Sequence, residues 1–186
     1  LETESEIQFG GGLIPDYEPA LPGAATGRTL LTPSYDGTRL GSDFANLRPA
    51  LDQFGIFGGM QIGFEDAASF MATMRSPAAF RYSAGKFLRY AWDRVRHGRA
   101  TRLVNGNALV ARLLATARQR GVTLWRKADV RSLMTDGADA VRGVVVNVEN
   151  GRSMEVRARR GVILASGGYG ANQEMRRDNV PMADSG

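Results

Sequence analysis

From Gly161 to Ala165 the sequence reads Gly-Val-Ile-Leu-Ala, with no polar residue, and Ser166-Gly167-Gly168-Tyr169-Gly170 follows at once. A half-buried strand alternates apolar and polar residues. An unbroken apolar run of this length suits a strand covered on both faces, as in a parallel sheet flanked by helices. Small residues directly after such a strand let backbone N–H groups approach a ligand with no Cβ in the way. In open α/β sheets, ligands sit where strands end in such turns. The run therefore predicts an α/β fold and makes 165–170 the most chemical stretch of the chain. A tight strand-to-helix turn without a ligand accounts for the same residues equally well, and no GxGxxG occurs in the chain.

The elements before this run can be read from period and punctuation. A short helix is expected at about 66–75, with Phe70, Met71 and Met74 on one side. A longer one has Ser76 as N-cap, Pro77 at the first helical position and Gly98 just past its end. Within it Phe80, Ala84, Phe87, Leu88, Ala91, Trp92 and Val95 recur at helical spacing, which predicts a stripe packed into a core. A third helix, about 107–120, starts at Asn105 or Asn107, ends at Gly121, and carries Leu109, Val110, Leu113, Leu114 and Ala117 on one face. Strand signals follow at Val122–Trp125, Val130–Met134, Val141–Val148 and Met154–Ala158, with turns at Asp136-Gly137 and Asn150-Gly151. After the first of these, the others form an antiparallel meander before the apolar run, and a last helix is expected at about 172–177. Residues 1–60 hold five prolines and read as mostly irregular, which in a compact domain points to functional or wrapping loops.

Composition excludes several chemistries. There is no cysteine and a single histidine, His97. Disulfides, thiolate metal sites, iron–sulfur clusters and any site needing two histidines are thus excluded within the chain. A cytoplasmic location is the expectation: no secretory signal is visible and no apolar run reaches the roughly 18 residues of a transmembrane helix. The net charge of +5 comes from 22 arginines and two lysines, Lys86 and Lys127, against 19 acids. The densest basic run, Arg94, Arg96, His97, Arg99 and Arg102, reads as a solvated helix end opposing the negative helix C-terminus. Nucleic-acid binding would need a recognisable module or interleaved aromatics, and it is not expected. Glycine is the outlier, at 23 of 186 residues, about 12% against an ordinary ~7%.

One ordered series of segments carries a resemblance: Gly106-Asn107-Ala108-Leu109-Val110, Arg120-Gly121-Val122, Val130-Arg131-Ser132-Leu133, Gly143-Val144-Val145-Val146, and Arg160 through Gly168. Together they resemble the FAD-binding domain of the fumarate reductase/succinate dehydrogenase flavoprotein superfamily. Asp16-Tyr17-Glu18-Pro19-Ala20-Leu21-Pro22-Gly23 followed by Gly27-Arg28-Thr29-Leu30 is similar to its 3-ketosteroid Δ1-dehydrogenase-like branch. The resemblance covers nearly the whole chain and is most specific over 100–181.

It implies FAD as cofactor and a Rossmann-like FAD-binding domain of class α/β with an antiparallel meander, lacking the N-terminal GxGxxG unit. Ala165, Ser166, Gly167 and Gly168 would lie beside FAD, and the main chain at Val130 would bond the adenine, although simple burial explains an apolar residue there as well. Tyr17 would stand near the substrate and help a proton transfer, since a phenol can act as a general acid or base. The alternative for Tyr17 is a packed loop tyrosine with a hydrogen-bonded hydroxyl.

The division expected is a loop-rich segment at 1–64 and a partial FAD-binding domain at 65–186. The whole is expected to be an interior portion of an FAD-dependent oxidoreductase that moves a hydride between flavin N5 and a ketosteroid-like enone or fumarate-like C=C bond. Its partners would be a small-molecule substrate and an electron carrier. The alternative is a non-catalytic binding module derived from such an enzyme.

Overall fold

The structure is a computed structural model in which residues 2–51, 53, 55–149 and 151–180 are described. The chain divides into two compact units, 1–123 and 124–186.

In the first unit the proline- and glycine-rich beginning is more regular than its composition suggests. Strand β1 (Gly10–Gly12) pairs antiparallel with β2 (Thr29–Leu31), and an isolated bridge joins Pro15 to Thr26, so 10–31 is one long hairpin. Strand β3 (Tyr35–Asp36) runs into a 3-10 segment, Gly37–Asn46, capped by the Asp36 carboxylate, which accepts from Thr38 N. Gly37 is required there by space: a Cβ would collide with the Phe44 ring. Strands β4 (Gly55–Ile56) and β5 (Met60–Gln61) form a two-residue ladder.

Three helices complete the unit, α1 (Phe64–Met71), α2 (Pro77–His97) and α3 (Asn105–Gln119), with β6 (Arg102–Leu103) pairing to β3 before α3. The expected caps of α2 are present: Ser76 Oγ accepts from Ala79 N, Pro77 opens the helix, and Gly98 closes it at φ 71°. The core gathers Tyr35, Phe44, Leu47, Leu103, Ala108 and Ala111.

Two helix faces differ from the apolar stripes expected. In α2 the buried residues are Ala79, Ser83, Tyr90 and Asp93, while Phe80, Leu88, Trp92 and Val95 face solvent. In α3 the buried residues are Ala108, Ala111 and Arg112, and Val110 and Leu113 are about half exposed. The physical reason is polar. Asp93 accepts from Thr101 N (3.0 Å) and Thr101 Oγ1 (2.6 Å). Tyr90 donates to Phe57 O (2.8 Å), and Arg112 donates to the carbonyls of Glu6 (3.0 Å) and Ser34 (3.2 Å). Each helix is rolled so that these groups reach partners, because leaving them buried and unpaired costs more than exposing an aliphatic side chain.

The second unit is built on a three-stranded meander, β7 (Asp129–Thr135), β8 (Val141–Asn147) and β9 (Ser153–Arg157), in the order β7-β8-β9. The Asp136-Gly137 turn is where the sequence puts it, with Asp136 Oδ1 accepting from Ala138 and Ala140 N. Asn150 of the second expected turn lies outside the described residues. Gly143 is a close-approach position, since a Cβ would strike the Val156 carbonyl. Helix α4 (Gln173–Asn179) starts at Asn172, whose side chain accepts from Met175 N (3.1 Å).

Two expected strands are absent. Val122–Trp125 has no ladder and its apolar residues are about half exposed. Gly161–Ala165 is not a strand either: Ile163 is 92% and Leu164 67% exposed, and every ladder among the described residues is antiparallel. A strand exists only through its neighbour's hydrogen bonds, and among the described residues no segment lies beside this one to supply them.

Candidate functional site

The residues expected to bind a cofactor lie in the second unit. Residues 161–168 form no helix or ladder, are mostly exposed, and make no hydrogen bond to another backbone segment among the described residues. Ala165, Ser166, Gly167 and Gly168 carry nothing larger than a hydroxymethyl group. Gly167 sits at φ +82°, a conformation that a Cβ disfavours, and a Cβ built on Gly167 or Gly168 would meet no protein atom within 4 Å. The stretch is a run of free backbone donors and acceptors that a large flat ligand can approach closely. Its small side chains and open backbone groups are compatible with a contact to FAD.

Val130 lies on β7, opposite Val146, and β7 is an edge strand of its sheet. A register shift between Val130 and Ser132 marks a bulge at this edge, where main-chain groups turn away from the ladder. The Val130 side chain is 52% exposed, so burial among the described residues does not account for it.

Tyr17 belongs to the first unit, at the tip of the 10–31 hairpin. Its ring is fully exposed and its hydroxyl has no hydrogen-bond partner among the described residues. The alternative of a packed, hydrogen-bonded tyrosine does not match this placement. The turn that carries it is fixed from beneath. Asp16 N donates to Ala25 O (3.1 Å), and Asp16 Oδ2 accepts from Ala25 N (3.0 Å) and from the Arg28 guanidinium, with which it forms an ion pair. The Arg28 hydrogen bond, helped by that from Ala25 N, holds the Asp16 carboxyl below its ordinary range.

The base of the same hairpin borders a cleft of about 450 Å³ lined by Gly10 to Ile14, Leu31, Phe64, Val104 and Asn105. A neighbouring cleft of about 520 Å³ lies across Val104–Asn105, between Leu47–Leu51 and the start of α3. Both are the size of small-molecule pockets. Asn105 stands between them at φ +50°, a conformation that asparagine tolerates better than most side chains.

Behind the clefts lies a group that sequence reading passed over. Asp66, on α1, is fully buried. Its carboxylate accepts from Tyr82 OH (2.5 Å), Arg102 (2.7 Å) and Gly63 N (2.9 Å), with Lys86 Nζ at 3.3 Å. Burial pushes its pKa up, but these hydrogen bonds and the Arg102 charge outweigh it and leave the group at about 2. The only sequence signal was an acid in the first turn of a helix. Asp66 thus ties α1 to α2 and β6 and braces the walls around Val104 without reaching a ligand itself.

Two members of the basic run are likewise structural. Arg99 donates to Phe44 O and Leu47 O (3.2 and 2.7 Å) and stacks 4.6 Å over the Phe44 ring, and Arg102 pairs with Glu65 and Asp66.

Residues 15–185 match the family model of the FAD binding domain. The chain is 34% identical over 183 residues to the 4-oxocyclohex-2-ene-1-carboxylate 5-dehydrogenase of Sinomonas cyclohexanicum, covering 97% of this chain and 30% of that protein. It is 34% identical over 165 residues to the 3-oxosteroid 1-dehydrogenase of Comamonas testosteroni, covering 87% and 28%. The crystal structure of a 3-ketosteroid Δ1-dehydrogenase from Sterolibacterium denitrificans, in complex with 1,4-androstadiene-3,17-dione, aligns with a TM-score of 0.83 at 32% identity, covering 97% of this chain and 33% of that one. The chain therefore spans about a third of the length of the relatives it matches. The match over almost all of its residues, with helices and an antiparallel meander as in that family, shows that the chain belongs to the FAD binding domain family of flavoproteins, with FAD as its cofactor.

Proposed function

We propose that this chain is the part of an FAD-dependent dehydrogenase that helps to hold FAD and one edge of the substrate site, and that the whole enzyme desaturates a cyclic ketone next to its carbonyl. The family match over 15–185 carries this reading, and the two relatives named for cyclic enone or oxosteroid substrates give the substrate class. When bound, FAD supplies the hydride acceptor at flavin N5.

The chain's own residues do the rest of the work assigned here. The backbone of Ala165 to Gly168 lies against the cofactor, and its small side chains permit the approach. Val130, on an edge strand, offers its main chain to the adenine. Tyr17, exposed at the hairpin tip and outside the lining of the clefts, takes or returns the proton lost from the carbon beside the carbonyl. The Asp16–Arg28 pair holds the turn on which Tyr17 stands, so the phenol is positioned by its backbone and not by packing of its ring.

The test is an anaerobic mixture of the FAD-loaded full-length protein carrying this sequence with a saturated cyclic ketone of the steroid or cyclohexanone class. Bleaching of the visible flavin band together with formation of the enone is expected. A flavin band that stays unchanged with every such ketone would overturn the dehydrogenase reading and leave a flavin-binding module.

A further inference from the structure

Among the described residues, helix α2 is supported from one side only. Ala79, Ser83, Tyr90 and Asp93 face the body of the unit. On the opposite side Ala84, Leu88, Ala91, Trp92 and Val95 follow at three- and four-residue spacing, which lines them up as one stripe. Leu88 is 68%, Trp92 64% and Val95 83% exposed. Met74, just before the helix, is 91% exposed. Single exposed leucines are ordinary, but a continuous apolar face of this kind marks an interaction surface.

The charged side chains of α2 that flank it are of one sign. Arg89 and Arg96 run along one flank and Arg94 along the other. The one acid in the helix, Asp93, is buried and bonded to Thr101. Arg94 and Arg96 have no carboxylate partner within ion-pair distance among the described residues, and Arg89 reaches Asp36 only at 3.7 Å. A helix with Trp and Leu on its outward face and arginines beside them, lying flat on its own domain, is complementary to an anionic lipid surface.

We propose that the outward face of α2 seats the protein on an anionic membrane surface. Leu88, Trp92 and Val95 enter the boundary of headgroups and acyl chains, roughly 5–10 Å deep, while Arg89, Arg94 and Arg96 meet lipid phosphates.

The experiment uses Trp125→Phe, which leaves Trp92 as the one tryptophan of this sequence, with vesicles of phosphatidylglycerol mixed into phosphatidylcholine and vesicles of phosphatidylcholine alone. Co-sedimentation with the anionic vesicles is expected. Trp92 emission should shift to the blue and be quenched by brominated acyl chains. Binding should fall at least tenfold in the Leu88→Glu/Trp92→Glu variant and in the Arg89→Glu/Arg94→Glu/Arg96→Glu variant, with unchanged far-ultraviolet circular dichroism. Added salt should weaken binding by the parent, which checks the charge component without any variant.

Four results would overturn the proposal. They are no binding to anionic vesicles at low salt, binding that survives the Leu88/Trp92 substitutions, a concentration-dependent dimer that shields Trp92 and excludes vesicles, and a longer polypeptide carrying this sequence in which Trp92 is already shielded from iodide before lipid is added. Preferential retention by a DNA or RNA duplex in competition with vesicles would likewise replace the lipid by a nucleic acid.

Discussion

Tyr17 carries its hydroxyl to the tip of a hairpin and leaves it with no partner among the described residues. Replacing it with phenylalanine removes one oxygen and no described contact. Tyr17→Phe should lower turnover by about 10²–10⁴, the usual worth of a positioned acid or base, while the thermal midpoint and FAD content stay where they were. Steady-state kinetics beside a melting curve separate these effects, and a variant with full turnover would remove Tyr17 from the chemistry. Asp66 is the reverse case, buried and fully bonded. Asp66→Ala strands Arg102 and Lys86 and should cost about 3–5 kcal/mol, read by urea unfolding. The native carboxyl titrates at about 2, against 3.8 for an ordinary aspartate. Its contribution, roughly 2 kcal/mol, is therefore complete above pH ~4 and lost as the pH falls toward 2. The Asp66→Asn variant should lack that part of the acid sensitivity. Neither role shows in residue type alone. The role proposed for Tyr17 rests on the motif around it, while its unpaired hydroxyl follows from hairpin pairing between residues more than ten apart, and Asp66's partners stand 16 and 36 residues away.

At the level of elements, local chemistry was legible and choices of face were not. Ser76, Pro77 and Gly98 mark α2 and Asn172 marks α4, because a cap is an interaction between near neighbours. The meander also follows from alternation and turn residues. Period alone put Leu88, Trp92 and Val95 in a core, and the hydrogen bonds of Tyr90 and Asp93 turned them out. The Gly161–Ala165 run shows the same limit for strands, since its composition suits a buried strand but pairing is a property of what stands beside it. These faces can be checked by paired substitutions. Leu103→Ala, at a fully buried position, should cost about 2–5 kcal/mol. Leu88→Ser, on the outward face of α2, should stay within about 0.5 kcal/mol of the parent. Denaturant midpoints of the two variants decide it, and a large loss at Leu88 would mean that the stripe is packed after all.

At the scale of the whole molecule, the chain is two compact units that together match about a third of the length of known dehydrogenases. The first unit presents Tyr17 and the clefts, and the second presents the open backbone at 165–168 and the edge strand with Val130. The glycine surplus sorts accordingly. Gly98 caps a helix, Gly37 and Gly143 make room for a ring and a carbonyl, and Gly167-Gly168 leave an approach that no protein atom fills. That last assignment is the central claim, and FAD occupancy of the full-length protein tests it most directly. The parent should purify with flavin or take it up to one equivalent. Gly168→Val, whose added Cβ meets no protein atom within 4 Å, should lose FAD affinity by at least tenfold with an unchanged melting curve of the apoprotein. Full flavin occupancy in Gly168→Val would contradict the account.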